Sequence, residues 1–268
     1  MRKSIFITGA ASGIGRAVAH SFAARGWFVG LADVNEAGMK ETAASIPAGH
    51  YSLHHLDVRN REQWDEALAA FWAVAGQRLD VLFNNAGIGR GGALAETPPE
   101  EDDLVVDINF KGVMYGAKSG FPYLKQTSGS CLINTSSAAG IMGTAGMSVY
   151  CATKFAVRGF TESLDVEWEE HGIKVRSLMP SFVDTPILDY VTVDSNRQIR
   201  DTVSEAGLEI SPVSMVVDAV WSAIEGRDVH TRVGKTAKRA WFWSRFAPGI
   251  VRKKAKGLAA ARERLAAS

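Results

Sequence analysis

Two polar side chains stand four residues apart in the segment "YCATK", which runs from residue 150 to residue 154. If this segment is helical, Tyr150 and Lys154 share one face. A free tyrosine has a pKa of about 10, which is too high for a base near neutrality, and a neighbouring ammonium lowers it. The pair therefore has the composition of a group that moves a proton, although an isolated pair of this kind also occurs on ordinary surface helices.

A second candidate site is the glycine-rich segment "TGAASGIG", residues 8–15, which follows an apolar run and precedes a helical pattern. Glycines let a backbone approach a pyrophosphate closely, and a helix N-terminus favours negative charge. The spacing G-x-x-x-G-x-G differs from the common dinucleotide fingerprint. The candidate nucleotide-binding residues of this segment are Gly9, Ser12, Gly13, Ile14 and Gly15.

An acidic residue, Asp33, ends the next apolar run, 18 residues after Gly15. A carboxylate at this place accepts hydrogen bonds from the adenosine ribose hydroxyls and repels a 2′-phosphate. Val34 offers no base to such a phosphate, and Arg16 is expected to point to solvent. The pattern favours NAD over NADP, with a surface aspartate at a strand end as the alternative.

The elements that must position these residues alternate along the chain. Strands are predicted at 4–8, 27–33, 51–58, 79–87, 130–137, 173–180 and 229–234. Helices are predicted from about Gly13 to Arg25, over 36–45, from Asn60 (N-cap, with Gln63 completing a capping box), from Pro99 to Lys125 and from Val149 to His171. This alternation predicts an α/β fold with a doubly wound parallel sheet, a three-layered Rossmann fold whose ligand site lies at the carboxyl ends of the strands.

Composition limits the class of protein. The 268 residues are 46% hydrophobic and 22% charged, which fits a single domain. We find no apolar run near the ~18 residues that cross a bilayer. Cys131 and Cys151 have no metal-ligand spacing, so we predict no metal site and a cytoplasmic location. From Arg227 onward the chain carries 12 basic and two acidic residues, a net +10, against −9 for the rest.

Taken together, the motifs resemble those of the short-chain dehydrogenase/reductase family, in its single-domain branch. The matching segments, in the family's order, are "TGAASGIG" (8–15), "NNAG" (84–87), Asn109 in "VVDINFKG", "INTSS" (133–137) and "YCATK" (150–154). The family's serine lies 13 residues before the tyrosine, which selects Ser137 over Ser136.

The resemblance implies roles for further residues. Tyr150 would be the acid–base group, Lys154 would lower its pKa, Ser137 would hold the substrate oxygen, and Asn109 would hold a water that links Lys154 to solvent. Other residues expected to contact the cofactor are Asn85, Gly87, Asp57, Val58, Val183 and Thr185. One departure is visible: Pro180 is followed by Ser181, where the family usually has glycine.

Residues 1–234 are expected to form the catalytic domain, with 186–212 as a lid over the substrate. We identify no arginine that could clamp a substrate carboxylate, and the candidate substrate contacts are mostly apolar: Ala139, Met147, Phe182 and Leu188. The substrate expected from these residues is a hydrophobic secondary alcohol or ketone.

The C-terminal segment, residues 235–268, is predicted to be a basic, aromatic helical extension in which Pro248 breaks or restarts the helix. We predict that its aromatic residues pack against protein, either this chain or a neighbouring subunit. A membrane surface is the alternative, and it is not favoured. A nucleic-acid partner is not predicted, and a homodimer or homotetramer is expected.

The resulting hypothesis is an NAD-dependent alcohol dehydrogenase or ketone reductase. Three alternatives stay open: an NADP-dependent carbonyl reductase, a catalytically silent NAD-binding regulatory protein, and an epimerase of the family's extended branch. Intact Ser137, Tyr150 and Lys154 argue against the silent protein, and the glycine spacing argues against the epimerase.

Overall fold

A computed structural model describes residues 2–191, 198–253 and 255–256. The strands are β1 Ser4–Thr8, β2 Phe28–Asp33, β3 Tyr51–His55, β4 Val81–Asn84, β5 Cys131–Thr135, β6 Lys174–Pro180, β7 Phe182–Val183, β8 Ile210–Ser211 and β9 His230–Val233. Within the described residues, seven of them form a parallel sheet in the order β3-β2-β1-β4-β5-β6-β9, and β7 pairs with β8.

Helices cover both faces of this sheet. They are α1 Gly13–Ala24, α2 Glu36–Ala43, α3 Arg61–Val74, α4 Pro99–Val106, α5 Gly112–Lys125, α6 Ser148–Glu167, α7 Ile199–Glu205, α8 Ser214–Glu225 and α9 Gly234–Phe246. The predicted doubly wound fold is therefore confirmed. The β7–β8 pair, α7 and α8 are additions that the sequence patterns did not indicate.

The central strands are buried on both sides, as their continuous apolar sequences require. All five residues of β1 are buried. On one face α1 and α8 pack together, where Phe22 stacks on Trp221 with 3.9 Å between ring centroids. On the other face α3, α5 and α6 surround the fully buried Trp64 and Phe71.

Two local predictions about helices need correction. The helix expected from Pro99 to Lys125 is interrupted by a π-helical turn, Asp107–Lys111, which lies between α4 and α5. Asn60 does cap α3, since its side chain accepts hydrogen bonds from two backbone N–H groups. Gln63 does not complete the capping box, because its Oε1 accepts instead from the Asp57 N–H at 2.7 Å.

The helix α9 divides the C-terminal aromatic residues between two environments. Ala237 and Ala240 are buried against the body, and the Trp241 ring lies 5.5 Å from that of His230. The expected packing within the chain thus holds for Trp241. It does not hold for three large side chains, for which packing on a neighbouring subunit stays a prediction: Phe242, Trp243 and Phe246. A new helical turn begins at Pro248, as predicted. In the described part of the chain, no helix is both long enough and apolar enough to span a bilayer.

Candidate active site

The polar residues identified from the sequence meet at the carboxyl ends of neighbouring strands. Thr8, at the end of β1, accepts the backbone N–H of Asn85 through its hydroxyl at 3.0 Å. The ammonium of Lys154 donates to the carbonyl of Thr135, at the end of β5, at 3.0 Å. This is the position at which doubly wound sheets bind their ligands.

Tyr150 and Lys154 lie one turn apart near the start of α6. Lys154 is 4% exposed, and its Nζ lies 5.5 Å from the centroid of the half-buried Tyr150 ring. Burial lowers the pKa of Lys154 to about 8. Burial also raises the pKa of Tyr150 to about 12, and a hydrogen bond with Ser137 opposes this rise. Lys154 therefore stays mostly charged at neutral pH and loses its proton above pH of about 8, whereas the phenol holds its proton.

The structure gives the two adjacent serines different partners. Ser137 lies beside the Tyr150 phenol and lowers its pKa. The Ser137 Oγ donates to the Pro180 carbonyl at 3.4 Å and accepts the Ala139 N–H at 3.1 Å. Ser136 is buried on the other side, where its hydroxyl donates to the carbonyl of Lys154 at 2.8 Å. Ser137 is thus placed beside the phenol, and Ser136 fixes the helix that carries it.

Asn109 lies within the π-helical turn, a feature often found at functional sites. Its Oδ1 accepts the N–H of Ile88 and its Nδ2 donates to the Ile88 carbonyl, both at 2.9 Å. A side chain at the adjacent Gly87 would stand 3.1 Å from Asn109 Oδ1 and 3.6 Å from Lys154 Nζ. Glycine at this position therefore leaves the space between the amide and the ammonium open.

A chain of buried amides holds the strands beneath the site, and the sequence reasoning missed it. Asn84 Nδ2 donates to Asn134 Oδ1 at 3.0 Å, and Asn134 Nδ2 donates to Thr161 Oγ1 at 3.1 Å. These contacts join β4, β5 and α6. Asn85, which was expected to support the sheet, donates to the Thr8 carbonyl at 3.0 Å and so fixes the end of β1. Polar residues inside two apolar strands were the available signal for this chain.

The glycine loop has the backbone that the sequence predicted. Gly9 (φ +69°) and Gly13 (φ +50°) occupy the left-handed region, which favours glycine. A Cβ on Gly15 would overlap the carbonyl oxygen of Gly9. Ser12 is extended and exposed just before α1, and the half-buried Ile14 is the second residue of that helix. The loop therefore presents bare backbone at a helix N-terminus, which suits a pyrophosphate.

The carboxylate of Asp33 lies beside this loop. It accepts the N–H of Ala11 and the N–H of Asn35, each at 3.0 Å, and these bonds fix its orientation. Arg16 does not extend freely into solvent as expected. Its guanidinium bonds the Ala11 carbonyl and forms an ion pair with Glu41 at 2.9 Å, so it is held against α2.

The other predicted cofactor residues surround the same groove. The guanidinium of Arg59 lies 2.6 Å from the carboxylate of Asp57. The hydrogen bond that it donates lowers the pKa of the Asp57 carboxyl. The carbonyl of the buried Val58 accepts the Trp64 indole N–H at 3.0 Å. Thr185 is buried and bonds the Val183 carbonyl at 3.2 Å, and its methyl group would stand 3.2 Å from a Cβ on Gly13.

The serine that replaces the family's glycine is accommodated by another glycine. The Ser181 N–H donates to the Val233 carbonyl at 3.1 Å. Gly234 (φ +85°) follows Val233, and a Cβ there would overlap the Ser181 hydroxyl. The missing side chain at residue 234 therefore leaves room for the added one at residue 181.

One surface cleft lies beside Tyr150. Met147 lines it, but Ala139, Phe182 and Leu188 lie outside its lining. Arg90 does line it, although the sequence analysis found no arginine for this cleft. Its guanidinium pairs with Glu101 at 3.1 Å and lies 5.2 Å from the centroid of the Tyr190 ring. Because Glu101 balances this charge, the cleft does not offer an unpaired cation at Arg90.

Comparison with known proteins gives the family. Residues 3–215 match the family model described as short chain dehydrogenase. The chain is 36% identical over 241 residues to 2,5-dichloro-2,5-cyclohexadiene-1,4-diol dehydrogenase of Sphingobium indicum, covering 89% of this chain and 96% of the relative. It is 34% identical over 203 residues to meso-2,3-butanediol dehydrogenase of Serratia marcescens, covering 76% of this chain and 78% of the relative.

Among solved structures, the fold resembles a short chain dehydrogenase/reductase from Burkholderia phymatum in complex with NAD. The TM-score is 0.80 and the identity 28%, with 94% of this chain and 95% of that chain covered.

The chain belongs to the short-chain dehydrogenase/reductase family. It is an NAD(P)-dependent oxidoreductase of the alcohol dehydrogenase and ketone reductase type, which acts on a small molecule.

Proposed function

We propose that this protein transfers hydride between NAD and a hydrophobic secondary alcohol or ketone, with Tyr150 as the acid–base group. One observation carries the proposal: the Tyr150 phenol contacts Ser137 and lies one turn from the buried ammonium of Lys154. Two relatives support a secondary alcohol, because their names describe dehydrogenases of diols.

Different residues of this chain have different roles at the substrate oxygen. Tyr150 removes the hydroxyl proton during oxidation and returns one to the carbonyl oxygen during reduction. Ser137 donates a hydrogen bond to that oxygen as its charge develops. The ammonium of Lys154 stabilises the phenolate, and Asn109 holds a water that connects Lys154 to solvent. When bound, NAD supplies the carbon that accepts the hydride.

The groove fits such a cofactor, because its backbone stays open where side chains would fill it. We expect Gly9, Ser12, Gly13, Ile14 and Gly15 to hold the pyrophosphate side, and Asp57 and Val58 the adenine side. Asn85, Gly87, Val183 and Thr185 would contact the nicotinamide side with Tyr150 and Lys154.

We predict that NAD(H) is preferred over NADP(H) and that Asp33→Ala narrows the difference. The carboxylate is oriented by two backbone N–H groups at the loop edge, where it attracts ribose hydroxyls and repels a 2′-phosphate. The measurement is kcat/KM with each cofactor. Equal values for the unmodified protein would show that Asp33 does not face the ribose. Asp65→Ala, on α3, is the matched control and should leave the ratio unchanged.

We also predict opposite pH dependences for the two directions. Oxidation needs the phenolate, and the pKa of Tyr150 is raised to about 12, so kcat/KM for oxidation should rise with pH from neutrality. Lys154, with its pKa lowered to about 8, loses its charge above that pH, and the rise should become shallower there. Reduction needs the protonated phenol and should not rise with pH. Profiles of both directions on one substrate pair test this, and parallel profiles would contradict it.

The reaction itself is tested by screening secondary alcohols and ketones with both cofactors. Turnover of ketones with NADPH alone would favour the carbonyl reductase alternative. Tight NAD binding without turnover of any substrate would favour the silent regulatory protein. A substrate that changes configuration without net redox would favour an epimerase.

Part of the proposal concerns the surroundings of the site. We propose that residues 186–212 act as a lid, of which 192–197 lie outside the described residues. Arg200, on α7, ties this segment to Asp184 at 2.6 Å and to Asp189 at 2.8 Å. Leu188 is buried on its inner side and would reach substrate only if the segment moves.

We propose a homodimer or homotetramer in the cytoplasm, which light scattering and cell fractionation would test. In each chain of this proposed oligomer, residues 1–234 form the catalytic domain and residues 235–268 form the C-terminal helical extension.

A further inference from the structure

We propose that the exposed face of α9 binds to an anionic lipid surface. The contact would be made by an aromatic patch, which we define as Phe242, Trp243 and Phe246. These side chains are 53%, 43% and 69% exposed. Ile250, in the next helical turn, is 57% exposed. Exposed apolar groups clustered in this way mark interaction surfaces more often than scattered ones do.

The inner face of α9 already has its partners, so the aromatic patch is not simply the part of the helix that packs on the body. Ala237 and Ala240 lie in a buried cluster with Ile141 and Met179. Trp241 is covered by Arg158, at 4.5 Å from its ring centroid, and by Arg232 at 5.2 Å. The patch faces the other way. The ring centroid of Phe242 lies 5.2 Å from that of Trp243 and 4.9 Å from that of Phe246.

The charges around the aromatic patch point to an anionic partner. Lys238, Arg239 and Arg245 are exposed on the same helix, and among the described residues no carboxylate forms an ion pair with them. The sequence holds no acidic residue between Asp228 and Glu263. Each basic residue near an anionic membrane adds to the electrostatic attraction. Aromatic rings at the headgroup level beside such residues are the composition of an interfacial helix.

A second copy of the chain is a poorer partner for this face. A two-fold contact places each patch against its own equivalent, so the basic residues of the two copies would meet. Like charges brought together across an interface are unfavourable. A contact between the patch and the acidic body of another copy is head-to-tail, so it builds open chains unless the rotation between copies closes a ring. A lipid surface accepts the rings and the charges at once, and it needs no complementary shape.

The position of α9 gives this contact a consequence for the site. The buried cluster beneath α9 includes Ala138 and Met142, which follow Ser137 in the chain. Lipid contact would therefore hold the loop after Ser137 close to the bilayer, where apolar alcohols and ketones concentrate. The binding itself does not depend on the proposed reaction, and its test measures vesicle recovery rather than turnover.

The test is flotation of the full chain with phosphatidylcholine vesicles, with and without phosphatidylserine. We expect the protein to be recovered in the floated vesicle fraction when the vesicles contain phosphatidylserine, and little protein to be recovered there when they do not. Replacing the patch by Phe242→Ser, Trp243→Ser and Phe246→Ser should lower the vesicle partition coefficient at least about tenfold. The control variant, Val74→Ser with Val166→Ser, removes equally exposed apolar groups from α3 and α6 and should bind like the unmodified protein.

A second variant tests the charges separately. Lys238→Glu, Arg239→Glu and Arg245→Glu keep the rings and should abolish recovery on anionic vesicles, with unfolding temperature unchanged. Raising salt from about 0.1 M to about 1 M shortens the screening length from about 10 Å to about 3 Å and should also release the protein. Absence of recovery on anionic vesicles, or equal recovery of the patch variant, would overturn the proposal. A patch variant that loses oligomer size without vesicles would assign the face to contact between copies, which also overturns it.

Discussion

The Tyr150→Phe variant is expected to lose at least about 10² in kcat/KM while its affinity for NAD(H) stays near that of the unmodified protein. The substitution removes the oxygen that exchanges a proton with substrate and keeps the ring. That ring is half-buried on α6, and phenylalanine fills the same space. Steady-state kinetics in both directions give the loss, and titration of bound NADH fluorescence gives the affinity.

Two further measurements make the Tyr150 result specific. Tyr123→Phe, on α5, removes a hydroxyl whose ring packs on Trp72 at 5.1 Å, away from the strand ends. It should leave kcat/KM unchanged. If Tyr150→Phe retains activity within a few-fold of the unmodified protein, another group transfers the proton and the assignment of Tyr150 is wrong.

The Lys154→Met variant is expected to lose about 10² or more in kcat/KM, since the phenolate of Tyr150 then lacks its neighbouring ammonium. The loss should fall mainly on oxidation, which needs the phenolate, and the pH profile should lose its inflection near the lowered pKa of Lys154, about 8. Methionine has a similar length and is also unbranched. The free energy of unfolding should fall by no more than about 1–3 kcal/mol, because the volume is kept and only the donor to the Thr135 carbonyl is lost.

This variant separates a chemical role from a structural one. Lys154 donates to the Thr135 carbonyl, so a merely structural lysine would show itself as a fall in unfolding free energy with little change in the pH profile. Lys118→Met, on the exposed side of α5, is the matched control and should change neither quantity. Unchanged oxidation kinetics at neutral pH would remove Lys154 from the mechanism.

Much of the site could be predicted from local sequence because its parts are local. The distance from Tyr150 to Lys154 is one helical turn, and the backbone of the glycine loop depends on residues that tolerate positive φ. The choice of Ser137 over Ser136 stays a prediction; in the structure the two hydroxyls have different partners, the Pro180 carbonyl for Ser137 and the Lys154 carbonyl for Ser136. The family resemblance, drawn from five short motifs, is confirmed by the match over residues 3–215.

Other features depend on residues that are distant in the sequence, and these the local patterns missed. The π-helical turn at Asn109 goes with hydrogen bonds to Ile88, 21 residues away. Arg90 reaches the cleft by pairing with Glu101 and facing Tyr190. The capping role expected of Gln63 was lost for a more local reason, because its Oε1 accepts the Asp57 N–H instead.

The sequence by itself determined the alternation of strands and helices, the glycine loop after β1 and the one-turn spacing of Tyr150 and Lys154, because each follows from spacing or from the backbone freedom of glycine. The tertiary structure alone decided which of four neighbouring aromatic residues is covered. Trp241 meets Arg158, Arg232 and His230, while Phe242, Trp243 and Phe246 meet solvent. The tertiary structure also decided that the side chain of Ser181 is accommodated after β6. Gly234, 53 residues later, has no side chain to occupy the same space. Such pairings are set by how the strands and helices pack, and packing brings together residues that no local pattern connects.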